Sequence, residues 1–332
     1  MAITDLPTQI EQGAKLIRAG KLVIFPTETV YGVGADGLNP EAIQKIYAIK
    51  KRPQDNPVIL HISQLTQLKT LVKRIPKTAQ VLMERWWPGP LTNLLERNAL
   101  IPDIVTAGTD KVAIRMPDNP IALALITAAQ TPIAAPSANT SGKPSPTNYS
   151  QVMADLGTKA DLVIDGGQCQ YGLESTVIDM TDEPIILRPG AITKEQIDAT
   201  IGPVATLSPQ DIEKGKSSPG VAFKHYAPNA PLKLYPESPD MASLIRRDAS
   251  QLISAGQKVA VIGTTENAGA YPHNALFYNL GSRQQLTEIA ARLFNALHFC
   301  NQQQVDIILC ETFPKIGIGV AIMDRLERAS NK

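Results

Sequence analysis

Cysteine is scarce in this chain. Cys169, Cys300 and Cys310 are the only 3 in 332 residues, an odd number, far apart and without a Cys-x-x-Cys pair. A disulfide framework is not expected at this length. The 4 histidines show no H-E-x-x-H or comparable spacing, so no zinc-ligand pattern is present. Excess charge is missing too: the formal net charge is +1, and no global basic field announces nucleic-acid binding. No apolar run approaches the length that spans a bilayer. Met1-Ala2-Ile3-Thr4-Asp5 lacks the basic and apolar regions of a secretory signal. These absences lead us to expect a cytoplasmic protein with no membrane partner.

Familiar nucleotide and nucleophile motifs are also missing. Gly142-Lys143 is followed by Pro144, and Ser137 stands where a P-loop needs its first glycine. No G-x-S-x-G elbow supports a serine hydrolase. Gly32-Val33-Gly34-Ala35-Asp36-Gly37 does satisfy G-x-G-x-x-G. A dinucleotide fold needs the first glycine directly after a strand and the last at the start of a helix. Here Pro26 to Tyr31 separate Phe25 from Gly32, and Leu38-Asn39 precede the next helix. The glycines are read instead as allowing positive φ or close backbone approach in a long turn.

What is present is an apolar fraction of 43%, enough to build cores, and strands interleaved with helices, which marks an α/β protein. Ile10, Ala14 and Ile17 have helical spacing before a strand at Leu22–Phe25. Asn39-Pro40 is an N-cap followed by proline at the first helical position, opening a helix with Ile43, Ile46 and Tyr47 on one face. Val58–Ile62 reads as a strand, followed by helices near 64–73 and 77–86 and a turn at Trp86–Pro90. Further strands are expected at Leu91–Leu95, Val112–Met116, Ile133–Ala135, Leu162–Ile164, Thr176–Met180 and Ile185–Leu187. From about Gly202 to Pro231 the pattern breaks in Ser, Pro and Gly, as in a linker. A smaller α/β unit follows, with strands at Val259–Ile262 and Val305–Leu309 and helices near 283–301 and 319–329. The expected division is 1–202, a linker at 203–230, and 231–332.

Four segments carry the chemistry. Lys50-Lys51-Arg52-Pro53-Gln54-Asp55-Asn56-Pro57 puts three cations beside two prolines and an amide. Prolines stiffen the backbone, so little entropy remains to be lost when an anion binds. A solvated basic turn is the plain alternative. Pro136 to Thr147 offers five hydroxyls, Asn139 and Lys143, the groups a phosphate chain needs, or simply those of a polar loop. Phe25 to Gly34 is a polar stretch after a strand. Leu173 to Asp179 leads to Ile185 to Gly190, which includes Arg188. Two residues inside apolar strand runs stand out. His61 is most simply a core or edge residue with a satisfied hydrogen bond. Arg115 cannot shed its charge and needs an anionic partner if buried; a ligand carboxylate would serve.

Together these segments resemble the YrdC-like threonylcarbamoyl-AMP synthases in their two-domain form. The matching stretches are Pro26-Thr27-Glu28-Thr29-Val30-Tyr31-Gly32, Lys50-x-Arg52 with Asn56-Pro57, Pro136-Ser137-Ala138-Asn139 with Ser145-Pro146-Thr147, and Glu174-Ser175-Thr176. Further along come Ser218-Pro219-Gly220, Lys224-His225-Tyr226-Ala227-Pro228 and Gly319 to Leu326. Val33, where the family pattern has Leu, is a small departure. The resemblance spans essentially the whole chain. It implies a twisted open mixed sheet with helices, joined by a long linker to a small Rossmann-like α/β domain.

The reaction implied is L-threonine with bicarbonate or CO2 and ATP, giving threonylcarbamoyl-AMP and pyrophosphate. A partner threonylcarbamoyl-transferase complex would then modify adenosine 37 of tRNA. The resemblance assigns Arg52, Asn56, Lys111, Ser137, Ser145, Arg188 and Tyr226 to ATP. Lys50 faces the phosphates and, with Arg52, is the catalytic pair. Thr29, His61, Arg115, the backbone of Ala135 and Ser175 fall on the threonine side. Mg2+ would accompany the ATP phosphates without a protein cage of its own. The linker, through Tyr226, would act as a lid. The protein is expected to be a monomer whose contact with tRNA is indirect. A double-stranded RNA-binding module using Lys50, Lys51, Arg52 and Lys143 is the competing reading. A third is carbamoyl transfer as in hydrogenase-maturation relatives, whose added acylphosphatase and zinc-finger regions this chain lacks.

Overall fold

The computed structural model describes residues 5–207 and 225–330. They fall into two compact units. The first runs to residue 207, except for the pieces 142–144 and 171–173, which group with the C-terminal residues in the second. Ser218-Pro219-Gly220 and Lys224, named above for the linker, lie outside the described residues.

The first unit contains α1 (Leu6–Arg18), β1 (Val23–Phe25), β2 (Gly32–Asp36), α2 (Pro40–Lys50), β3 (Ile59–His61), α3 (Leu65–Leu71) and α4 (Lys77–Trp86). It continues with β4 (Leu91–Glu96), α5 (Asp103–Thr106), β5 (Lys111–Arg115), α6 (Pro120–Ala129), β6 (Ile133–Ala134), α7 (Tyr149–Asp155) and β7 (Leu162–Val163). β8 (Thr176–Asp179), β9 (Ile185–Arg188), α8 (Lys194–Ile201) and β10 (Ala205–Thr206) complete it. The strands form one mixed sheet in the order β10-β9-β8-β4-β5-β3-β6-β2-β1-β7.

Period-two alternation explains how this sheet carries both a core and a site. Leu60, Val112, Ile114, Leu91, Leu95 and Ile178 turn to one face, where they join α2, α4 and α8 in the main core. Their neighbours Ile59, Leu94, Ala113 and Val177, with Leu187, form a small apolar floor on the opposite face. α1 and α6 close a third cluster around Phe25 and Ile133. Asn39 caps α2 as its sequence predicts, its side chain accepting from the backbone N–H groups of Glu41 and Ala42. α2 ends because Lys51 takes a left-handed conformation, φ 50°.

One expectation is corrected here. The Gly32–Gly37 stretch is no turn: β2 is a buried strand antiparallel to β1. Its glycines are needed for close approach. A Cβ at Gly34 would sit 2.6 Å from the Phe25 ring and 2.7 Å from Ile133. Neither Gly32 nor Gly34 is among the positive-φ glycines. Glycine in a strand where other groups press in is a recognised pattern.

The second unit holds β11 (Leu232–Tyr235), α9 (Met241–Ser254), β12 (Val259–Gly263), a 3-10 turn at Thr265–Ala270, β13 (Leu276–Asn279), α10 (Leu286–Gln302), β14 (Ile307–Glu311) and α11 (Gly319–Ser330). Its four strands are all parallel, in the order β11-β14-β12-β13. Glu311, fully buried at the end of β14, accepts from the Thr264 backbone N–H at 2.9 Å, from the Tyr271 hydroxyl at 2.6 Å and from Arg283 at 3.2 Å. Among the described residues, no helix is long and apolar enough to cross a membrane.

Candidate active site

The site lies on the sheet face that carries the apolar floor. Arg115 ends β5 two residues beyond Ala113, so it shares that face. His61 is directly opposite it on the parallel neighbour β3. Both are 3% exposed. Arg115 Nε donates to the Gly89 carbonyl at 3.2 Å and Nη1 to the Thr29 hydroxyl at 3.0 Å. Nη2 lies 2.6 Å from Glu28 Oε1. Thr29 is held by the turn before β2: the Thr27 hydroxyl donates to the Val30 carbonyl at 2.7 Å and is 2.8 Å from the Thr29 hydroxyl. This local side-chain bonding is what Thr-rich turns do.

His61 Nδ1 is buried without a hydrogen-bond partner. Burial, reinforced by the Arg115 charge, lowers the imidazole pKa to about 3. His61 is therefore neutral throughout the physiological range. A neutral buried ring beside an arginine can donate or accept a hydrogen bond without bringing a second charge into the site.

Ser175 completes this cluster. Its hydroxyl is 2.7 Å from that of Thr92 on β4. Arg188 holds its carbonyl through Nε at 3.2 Å and Nη2 at 2.9 Å. A register shift between β8 and β9 lies beside this contact, and such bulges re-aim side chains next to sites. Gly190 permits the close packing, since a Cβ there would meet the Thr176 backbone nitrogen at 2.3 Å.

The second half of the site is built from loops. Arg52 Nη2 donates to Asn56 Oδ1 at 2.5 Å and to the Pro57 carbonyl at 2.7 Å, and Nε donates to the Asn56 carbonyl at 3.1 Å. The Lys-Arg-Pro segment is thus a pre-ordered turn. Lys50, expected to face the phosphates, is anchored to the Ser137 loop. Only 1% exposed, its ammonium donates to the carbonyls of Ser137 and Asn139. Burial, then the nearby Arg52, brings its pKa well below the usual lysine value. The Ser137 loop is also tied to the strand region by Val33 N–H to the Pro136 carbonyl, 2.9 Å, and Ala138 N–H to the Tyr31 carbonyl, 2.8 Å. Ser145 donates to Glu174 Oε1 at 2.6 Å.

Lys111, at the other end of β5 from Arg115, pairs with Asp179 at 2.8 Å. The two line a cavity of about 380 Å3 with Asp55, Pro57, Leu94 and Ala113. Ala135 is 6% exposed, next to β6. Tyr226 belongs to the C-terminal unit, at φ 67°, with its ring centroid 5.3 Å from that of Phe294 and the Arg325 guanidinium 5.5 Å from its own. Residues passed over in the sequence are Glu28, Thr92, Gly89 and Glu174. The Thr-Glu-Thr spacing was in view, but only the fold brings Glu28 to Arg115.

A ten-stranded mixed sheet with a basic, hydroxyl-lined face, coupled in one chain to a small parallel sheet, defines the class of fold. Residues 15–190 match the Sua5/YciO/YrdC family model, described as telomere recombination. Residues 192–331 match the model for the C-terminal domain of threonylcarbamoyl-AMP synthase. A Bacillus subtilis threonylcarbamoyl-AMP synthase is 46% identical, with 97% of this chain and 93% of that protein aligned. The crystal structure of Pyrococcus abyssi Sua5 complexed with L-threonine matches with a TM-score of 0.91 and 42% identity, covering 98% of this chain and 94% of the other. A structure of the same archaeal protein with an adjacent His and Tyr both replaced by Ala gives a TM-score of 0.90 at 41% identity, with coverages of 98% and 93%. The chain belongs to the two-domain Sua5 family of threonylcarbamoyl-AMP synthases.

Proposed function

We propose that the chain joins L-threonine, bicarbonate or CO2 and ATP into threonylcarbamoyl-AMP, releasing pyrophosphate, in support of tRNA N6-threonylcarbamoyladenosine formation. The observation that carries this reading is the Arg115–Thr29–His61–Ser175 cluster, on a fold that matches a threonine-bound relative. The threonine nitrogen, as the free amine, adds to the carbon of CO2 and gives up a proton, or adds to bicarbonate with loss of water, giving an N-carboxylate. One oxygen of that carboxylate attacks the α-phosphorus. The bond from α-phosphorus to its bridging oxygen breaks, and pyrophosphate carries away the electron pair. The N-carboxylate and the ATP phosphates it attacks are both anionic, so fixed donors and cations supply most of the catalysis.

On this reading Arg115 takes the threonine carboxylate. Thr29, Ser175 and the neutral His61 read the hydroxyl and amine, and the Ala135 backbone adds a polar contact. Arg52, Asn56, Lys111, Ser137, Ser145, Arg188 and Tyr226 serve ATP, with Arg52 stabilising charge at the phosphates. Lys50 acts through the loop it supports. Among the described residues no group of three or more His, Cys, Asp or Glu could hold a metal. We assign Mg2+ to the nucleotide phosphates, and no step here depends on it.

We assign 1–202 to catalysis, 203–230 to a linker that we propose as an active-site lid, and 231–332 to an accessory role. A cytoplasmic monomer that hands its product to a separate transferase complex completes the proposal. The test is mass-spectrometric detection of threonylcarbamoyl-AMP with pyrophosphate release from the purified chain. Product that requires both threonine and bicarbonate supports it. Folded protein that binds ATP but makes no product would point to another acceptor, and absence of ATP binding would favour the RNA-binding reading.

A further inference from the structure

Glu28 has no part in the reaction above, yet it is the carboxylate against which Arg115 rests. Its side chain is 2% exposed and that of Arg115 4%. The 2.6 Å contact is one of charge and distance. Neither Glu28 oxygen is partnered by an aligned hydrogen-bond donor, and Nη2 makes no aligned bond. A guanidinium has five N–H groups. Gly89 and Thr29 take one each, from Nε and Nη1. One N–H on Nη1 and two on Nη2 make no aligned bond, more than the two a carboxylate takes in a bidentate pair. A buried arginine cannot neutralise itself, and holding it without a counter-charge is costly. Glu28 supplies that counter-charge before any substrate arrives.

We infer that Glu28 is a positioning and selectivity residue: it neutralises and aims Arg115 so that the site accepts a carboxylate as part of an amino acid and rejects simple small anions. This rests on the L-threonine reading of the site. A small anion approaching the neutralised pair gains two hydrogen bonds and meets repulsion from Glu28. A zwitterionic amino acid brings an ammonium that Glu28 attracts, with a hydroxyl for Thr29, Ser175 or His61. The carboxylate thus enforces selection by disfavouring the wrong ligand as well as by aiming the donors for the right one.

The experiment compares the native full-length chain with Glu28→Gln and Glu28→Ala, using acetate as the anionic probe. The readouts are acetate inhibition, melting temperature in acetate, and the KM for threonine and for ATP. Glu28→Gln keeps the shape and an acceptor oxygen but loses the charge. Its acetate affinity should rise by about tenfold or more, and acetate should restore part of its lost melting temperature. Glu28→Ala should raise the threonine KM while leaving the ATP KM nearly unchanged. Unchanged acetate affinity in Glu28→Gln, or parallel rises in both KM values, would overturn the inference. If neither variant folds, the native chain decides: protection from melting by L-threonine but not by acetate supports it, and equal protection by both sinks it. Failure of the synthase reading looks different, because the native chain would then show no threonine-dependent pyrophosphate release whatever acetate does.

Discussion

Lys111 and Arg115 stand at opposite ends of one five-residue strand, on the same face, each paired with an acidic residue. Their environments differ sharply. The Arg115–Glu28 pair is 4% and 2% exposed at the side chains; the Lys111–Asp179 pair is 32% and 14% exposed. Water screens the second pair and barely reaches the first. Removing one member of a buried pair strands the other charge, whereas a screened pair contributes little on its own. The strand thus carries a rigid, committed charge at one end and an adaptable one at the other. On the proposed assignment, the buried end would read a small amino acid closely and the screened end would border a nucleotide.

Arg115→Ala tests this contrast most severely. It should destabilise the chain by about 3–5 kcal/mol. It should also lower kcat/KM for threonine by about 1,000-fold, through loss of two charge-assisted hydrogen bonds. Urea melts and steady-state kinetics measure both. A milder loss than that of Lys111→Ala would break the burial argument. Lys50→Met comes next. It keeps the apolar stem but removes the donor to the Ser137 and Asn139 carbonyls, so a loss of about 1–3 kcal/mol is expected. The ATP KM should rise with it, since the Ser137 loop loses its support.

His61 sharpens the comparison through pH. Its pKa in the folded chain, about 3, lies below the ordinary histidine value of 6.5. The unfolded chain therefore binds the extra proton first as pH falls. The stabilising effect of keeping His61 neutral is fully present above pH 6.5 and is lost between 6.5 and about 3, by at most about 1.4 kcal/mol per pH unit. His61→Gln should lose less stability between pH 7 and 5 than the native chain; parallel curves would refute this assignment. The smallest effect belongs to Lys111→Ala. Its stability change should stay within about 1 kcal/mol and fade in high salt, while the ATP KM rises modestly.

Much of the first unit was legible because its signals are local. Asn39-Pro40 announced the start of α2, and the apolar runs around Leu60 and Ile114 announced β3 and β5. Elements without such signals escaped. β2 is rich in glycine, which reads as a turn until Phe25 and Ile133 are seen pressing on it. α6, Pro120–Ala129, buries Ile121, Ala122, Leu125, Ile126 and Ala129 on one face, but its other side is also mostly apolar, with Leu123, Ala124 and Ala128, so its sequence lacks the polar stripe that marks an amphipathic helix. β11 and α9 fall inside the expected C-terminal unit, 231–332, but no sequence signal singled them out as elements. Val305–Leu309 was placed two residues before the observed β14.

The candidate site divides along the same line. Arg115 was suspicious in the sequence because a fixed charge in an apolar strand requires a partner wherever it is buried. Which partner it takes could not be read, because Glu28 lies 87 residues earlier in the chain. Lys50 shows the converse: its segment looked like an anion-holding loop, yet packing turns its ammonium to backbone carbonyls.

Composition, alternation and turn chemistry determined the α/β class, the boundaries of several elements and the residue types available for phosphate and carboxylate. These properties depend on neighbours within a few positions. Tertiary structure alone decided which charges are buried, which donors are already spent and which histidine nitrogen is left unpaired. Burial and pairing depend on groups brought together from distant parts of the chain, and it is desolvation at that meeting that gives each charge its energetic weight.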